Sequence, residues 1–213
     1  MHPTDQFRCD VNPFTGHEVY FKDVKPTAET VKTVWIAGGG PGGMTAAITA
    51  AERGHKVTLF EASDALGGAL KYTDKDQKFK RDLHLFKERL IARVGELDID
   101  VRLNTRLTPE LVKEVNPDAL FIAIGSDPVF PPIPGLSPEV VTTGYDCYME
   151  PEKVGHKVLC IGGGLVGAET AIYLADLGHD VTVVEMNEKM AAEANNHHGT
   201  AVRGMLEKLN INC

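Results

Sequence analysis

"IAGGGPGGM", residues 36–44, is written a second time as "CIGGGLVGAE" at residues 160–169. Both copies read Gly-x-Gly-x-x-Gly: Gly38, Gly40 and Gly43 in the first, Gly162, Gly164 and Gly167 in the second. Such a run suits a strand-to-helix turn that receives a diphosphate. The first glycine makes the tight turn, the second lets backbone approach the ligand, and the third lets helix and strand pack closely. Pro41 and Gly42 in one copy, and Leu165 and Val166 in the other, then fall in the first helical turn. Unpaired N–H groups and the helix dipole favour an anion there.

The flanking sequence repeats as well. "KTVWIAG" (32–38) is a β-rich run, "PGGMTAAITAAERG" (41–54) has Met44, Ala47, Ile48 and Ala51 at helical spacing, and "HKVTLFE" (55–61) is a second strand. "HKVLCIGGG" (156–164), "LVGAETAIYLADLG" (165–178) and "HDVTVVE" (179–185) restate strand, helix and strand. Glu61 and Glu185 close the two second strands at matching positions. A carboxylate there accepts hydrogen bonds from ribose hydroxyls and repels a 2′-phosphate, which favours NAD(H) over NADP(H) at the second site; Lys189 nearby opposes that preference.

Elsewhere "FKRDLHLFKERLIARV" (79–94) places Phe79, Leu83, Phe86, Leu90 and Val94 on one helical face. "DIDVRLN" (98–104) alternates as a strand, "TPELVKEV" (108–115) is a helix with Thr108 as N-cap, and "DALFIAIG" (118–125) reads as a buried strand. Five prolines in residues 126–138 make a stiff connection. "GTAVRGMLEKL" (199–209) is helical and "NINC" (210–213) begins a strand. The expected fold is α/β: two Rossmann-like three-layer units with parallel sheets, the second one truncated. The expected divisions are an extended arm (1–30), a first nucleotide unit (31–135), a linker (136–150) and an incomplete second unit (151–213).

The net charge of −8 and pI near 5.5 argue against nucleic acid as a partner. No apolar run is long enough for a membrane span, and the N-terminus lacks the pattern of a signal peptide. Cys9, Cys147, Cys160 and Cys213 form no C-x-x-C pair, which points to a reducing cytoplasm. Cys160 is expected as a small core residue and Cys147 as an inert loop residue, while Cys213 has no assignable role. The adjacent His197 and His198 of "NNHHG" do not converge on a metal and read as a solvated loop; His55 and His179 read as turn residues before strands. The charged run 71–82 reads as an exposed loop and helix start.

These motifs resemble the pyridine nucleotide-disulfide oxidoreductase superfamily. "EASDALGGAL" (61–70) is similar to its second glycine motif, Gly67–Gly68, with Ala62 beside the ribose acid. "AIGSDPVFPPIPG" (123–135) is similar to its crossover segment and brings in Ile124 and Gly125, and "GGGLVGAETA" (162–171) brings in Glu169. "RCDVNPFTGHE" (8–18) resembles a run in the 2,4-dienoyl-CoA reductase, trimethylamine dehydrogenase and old-yellow-enzyme-like NADH:flavin oxidoreductase branch. There it joins an FMN-carrying barrel to the nucleotide-binding part.

The resemblance implies FAD, or ADP in its place, at the first unit and NAD(H) at the second. It implies hydride passing from NAD(P)H to FAD, then electrons through a [4Fe–4S] cluster to FMN, where an organic substrate is reduced. No side-chain acid or base is expected, so the candidate residues bind cofactor and none is catalytic. Cys9 matches the last of four cluster ligands, and one thiolate cannot hold a cluster. The barrel, the other three ligands and the family's flavin-end segment are missing, so the chain reads as a fragment or a truncated relative. Its second unit is then expected to be poorly ordered or covered by a second copy in a homodimer. Two other readings stand beside this: a non-catalytic ADP-binding module, and a glutamate synthase small-subunit-like flavoprotein, which should carry more cysteines in its arm.

Overall fold

The computed structural model describes residues 9, 12, 14–21, 27–137 and 139–213. They divide into two units: Met1–Thr73 with Gln77–Ser126, and Asp74–Asp76 with Asp127–Cys213. Much of the arm expected over 1–30 lies outside the described residues. Of the rest, Asn12 N donates to Cys9 O at 3.2 Å, and α1 (Glu18–Phe21) adds one helical turn.

In the first unit, β1 (Thr33–Ala37), β2 (Lys56–Phe60), β3 (Ile99–Arg102) and β4 (Ala119–Ile122) form one parallel sheet in the order β3-β2-β1-β4. Central β1 is buried over Val34–Ala37, as a strand covered on both faces must be. On one face Val34, Ile36, Val57 and Leu59 pack with Met44, Ala47 and Ile48 of α2 (Pro41–Glu52) and Val94 of α3 (Gln77–Glu96). Thr33 N donates to Asp118 Oδ2 at 2.7 Å and pins the starts of β1 and β4 together. α4 (Pro109–Val115) is capped as its sequence predicts, with Thr108 accepting from Leu111 N.

The second unit pairs β5 (Lys157–Ile161) with β6 (Asp180–Val184) in parallel, joined by α6 (Leu165–Asp176). β1, α2 and β2 map onto β5, α6 and β6 at one constant sequence offset. The turns before β2 and β6 are built alike. Gly54 and Gly178 both have positive φ, His55 Nδ1 accepts from Lys32 N at 3.2 Å, and His179 Nδ1 lies 2.9 Å from Gly155 O. α7 (Asn196–Lys208) packs on α6, and the start of a strand expected at 210–213 is a single parallel bridge, Thr182 with Asn212.

Several expectations are corrected. β4 is not buried: Phe121 is 51% and Ile122 71% exposed, because β1 is its one strand neighbour and β4 forms a sheet edge. Cys147 lies in a helix, α5 (Gly144–Met149), not in a loop; it is buried beside Tyr148, whose ring stacks on Tyr173 at 4.3 Å. His197 and His198 are not in a loop but in the first turn of α7, where Asn195 Oδ1 accepts from His198 N at 2.9 Å. The run 71–82 is not simply exposed, since Thr73 and Asp76 are buried. Among the residues of α3, Lys87 and Val94 are buried, while Phe79 is 37% exposed.

Candidate functional site

The site of the first unit is built where β1 ends. Gly38 turns the chain at φ +104, and a Cβ there would fall 2.7 Å from Ala123 C and 3.1 Å from Ile124 Cα. So the chain just past β4 closes one side of the loop with Ala123 and Ile124, and Gly125 follows at φ +75. Gly40 is the N-cap of α2 and Pro41 its first residue. Proline suits that position, since its φ is pre-set and no N–H is needed. A Cβ on Gly43 would strike Gly38 O, so only glycine lets α2 start this close to β1. A Cβ on Gly42 would meet nothing within 4 Å, which leaves open space at the helix start.

Glu61, at the end of β2, reaches back under the loop. Gly39 N donates to its Oε2 at 2.7 Å, while Ser63 N and Ser63 Oγ donate to its Oε1 at 2.7 and 2.8 Å. Partial burial pushes the carboxyl pKa up. Donors at Ser63 and Gly39, with the Lys71 charge, outweigh it and hold the group below its ordinary value. It is therefore an ionised, acceptor-only group, and Oε2 has acceptor capacity beyond its bond to Gly39. Ala62 follows it, exposed. Gly67 N then donates to Gly39 O at 2.9 Å. Gly68 follows at φ +53, and a Cβ there would come within 2.7 Å of Gly40 Cα. The second glycine motif thus lies against the first.

The second unit repeats this plan. Gly162 turns at φ +100, Gly164 caps α6, Leu165 and Val166 open the helix, and a Cβ on Gly167 would strike Gly162 O. Gly163 N donates to Glu185 Oε2 at 2.7 Å; Asn187 N and Nδ2 donate to Oε1 at 2.9 and 2.7 Å. The bonds from Asn187 N and Gly163 N hold the Glu185 carboxyl below its ordinary value. A cleft of about 410 Å³ opens beside Glu185, lined by Val183, Val184, Asn187, Glu188, Met190 and Cys213. Cys213 lies in the wall of that cleft.

Gly38, Gly40, Gly42 and Gly43 lie in the first loop and Gly162, Gly164 and Gly167 in the second, Gly67 and Gly68 lie in the segment that returns against the first loop, and Gly125 follows β4. Cys9 stands apart from the chemistry. One thiolate is a single ligand, and Cys147, Cys160 and Cys213 belong to the other unit, so this chain's own residues do not fit an iron–sulfur cluster. The fit to dinucleotides is different in kind: in both loops a Cβ on the third glycine would strike the first glycine's carbonyl, and an acid held ionised lies against the loop at the end of the second strand. Glu169 is engaged by a partner that residue spacing did not disclose, His198 Nε2 at 2.8 Å. Glu193 and Met190, which touch the second loop, were also missed. The usable signal was the spacing of His198, Val202 and Leu206, four residues apart on one helical face.

Cys160 Sγ donates to Gly167 O at 3.4 Å, and burial, with a smaller effect of Cys147, pushes its thiol up to about 11. It is a thiol and not a thiolate nucleophile at neutral pH. Burial also pushes the Cys147 thiol up. Alkylation of the folded chain at pH 8, read by peptide mass spectrometry, should therefore label exposed Cys213 ahead of Cys147 and Cys160. Buried Cys147 should stay unlabelled until denaturant is added, while Cys160, which is half-buried and not the core residue expected, should label slowly because its thiol is pushed up to about 11.

The profile of the family described as pyridine nucleotide-disulphide oxidoreductase matches residues 32–213. The chain is 38% identical over 192 residues to NADH oxidase of Thermoanaerobacter brockii, covering 88% of this chain and 29% of that protein. It is 41% identical over 178 residues to cinnamate reductase of Clostridium sporogenes, covering 84% of this chain and 26% of that protein. A solved structure of 2-naphthoyl-CoA reductase with 2-naphthoyl-CoA superposes with a TM-score of 0.86 at 34% identity, over 96% of this chain and 31% of that one. The chain thus spans less than a third of the length of these relatives. Among the described residues no helix is long and apolar enough to cross a membrane.

Proposed function

The chain belongs to the pyridine nucleotide-disulphide oxidoreductase family, in its dienoyl-CoA reductase and old-yellow-enzyme-like branch, and from that premise we propose how its two loops divide the work of electron transfer. The first unit, residues 31–135, holds FAD; the second, 151–213, holds NAD(H). Bound there, NAD(H) supplies a hydride donor and FAD a two-electron acceptor. The chain's own residues bind and orient. Backbone N–H groups after Gly40 and Gly164 take the diphosphates, Glu61 and Glu185 accept from ribose hydroxyls, and Gly67, Gly68, Ile124 and Gly125 line the first loop. No side chain moves a proton.

The observation that carries this reading is the duplicated acid. In each repeat a loop glycine N–H donates to the Oε2 of the strand-end glutamate at 2.7 Å, and the carboxyl is held ionised. The same arrangement in both repeats leaves each ionised carboxylate with lone pairs to offer ribose hydroxyls. An ionised Glu185 also repels a 2′-phosphate, so NAD(H) is the better ligand of the second unit. The relatives favour electron transfer over both an ADP-only module and a glutamate synthase small-subunit-like protein.

In a longer protein, Cys9 would be one of the four thiolates that a [4Fe–4S] cluster needs, and such a cluster would supply one-electron transfer. The names cinnamate reductase and 2-naphthoyl-CoA reductase share a conjugated aromatic acyl group, and we assign that class to the final acceptor. Four cysteines without a C-x-x-C pair favour a reducing compartment, and we assign the chain to the cytoplasm on that ground. Reconstitution with FAD followed by gel filtration tests the core of the proposal. The chain should elute with visible flavin absorbance at one FAD per chain, and anaerobic NADH should bleach it. A colourless protein peak would overturn it.

A further inference from the structure

The two repeats differ at the point where a diphosphate would rest. In the first unit, position N1 of α2 is Pro41, which offers no N–H, and the segment returning from Glu61 passes the loop as Gly67–Gly68. In the second unit the matching return puts Ala191 N on Gly163 O at 2.8 Å, with Ala191 itself at φ +48. There N1 is Leu165, and its N–H donates to Oε1 of Glu193. A Cβ placed on Gly164 would lie 3.0 Å from that same oxygen, so the carboxylate sits directly against the middle glycine. The first unit has Ala69 at the corresponding position and no carboxylate there.

The segment bearing Glu193 is held at its backbone. Besides the bond from Ala191, Arg203 Nη1 donates to Met190 O at 3.0 Å and Ala194 N donates to Ala191 O at 3.2 Å. Asn195 then caps α7. Glu193 itself is exposed, so its side chain can rotate away while the backbone stays in place. A carboxylate and a diphosphate seek the same donors and the same end of the helix dipole, and two anions cannot share them.

We infer that Glu193 is an internal competitor for the diphosphate of NAD(H): the second unit accepts its dinucleotide only when this side chain swings off Leu165, and the first unit has no such gate. The inference rests on the second unit being the NAD(H) site. If the open form is one molecule in ten, the apparent Kd is raised about tenfold.

Calorimetric titration of the full chain with NADH, alongside thermal unfolding without ligand, tests it on wild type, E193A and E193Q. E193A should bind NADH about tenfold tighter yet melt at a lower temperature, because Leu165 N–H loses its acceptor. A residue that merely caps the helix would not raise affinity while lowering stability. E193Q, which keeps an amide oxygen without the charge, should fall between the two, and it carries the test if E193A does not fold. Equal or weaker NADH binding by both variants, with wild type binding normally, would overturn the competitor and leave the site standing. No binding by any of the three would overturn both.

Discussion

Gly43→Ala leaves the chain unable to retain FAD, and Gly167→Ala removes NADH binding while FAD stays. Each is expected to weaken its ligand by about 100-fold or more, since displacing positioned groups by ~1 Å costs that order of effect. The cause is the same in both. A Cβ at Gly43 or Gly167 strikes the carbonyl oxygen of Gly38 or Gly162, within the same turn. Helix and strand must then part, and the helix N–H groups move off the diphosphate. Overpacking of this kind also costs about 1–3 kcal/mol of stability. Flavin absorbance after gel filtration reports the first loop and NADH calorimetry the second. Gly42→Ala is the control, because its Cβ meets nothing within 4 Å and should leave the melting point unchanged. Retention of FAD by Gly43→Ala would show that the first loop does not grip the diphosphate.

Phe60→Ala should cost about 4 kcal/mol, within the range for truncating a buried aromatic. Phe60 is 1% exposed at the end of β2, its ring lies 4.9 Å from that of Trp35, and the Arg102 guanidinium lies 5.4 Å from its centre. Removing it empties volume that Trp35 alone cannot fill, and the loss is a large part of a typical 5–15 kcal/mol stability. Trp35 is the single tryptophan, is buried, and neighbours the mutated site, so its fluorescence reports unfolding of the first unit directly. In urea the Trp35 transition should move to much lower denaturant. Phe121→Ala, on the exposed edge strand, should shift it by no more than about 0.5 kcal/mol. Equal shifts from the two would mean that the sheet face under Phe60 is not the core it is taken to be.

Much of the fold was legible residue by residue. Thr108, one position before Pro109, announced the start of α4, and the structure places its hydroxyl on Leu111 N. Gly54 and Gly178, each before a histidine, announced two turns that do have positive φ. Phe121 misled: an apolar strand reads as buried whether or not anything covers it, and coverage belongs to other parts of a protein. Lys87 departs from expectation in the opposite sense. A charge on a helix reads as solvated, yet its side chain is 4% exposed, lying against Gly67 and paired with Glu88 at 3.0 Å. His198 reads as loop because two adjacent histidines have no periodicity of their own; the cap at Asn195 makes them helical.

The amino-acid order alone determined the two βαβ turns, their helices and the acids at their second strand ends. Those depend on the φ that glycine permits, on apolar period and on strand ends, all of which operate within a few residues of chain. Tertiary structure alone decided which anion lies on which helix. Leu165 meets Glu193 across 28 residues, and Glu169 meets His198 across 29. Spacing carries no record of such meetings, because they are set by where a returning segment lands once the strands beneath it have paired.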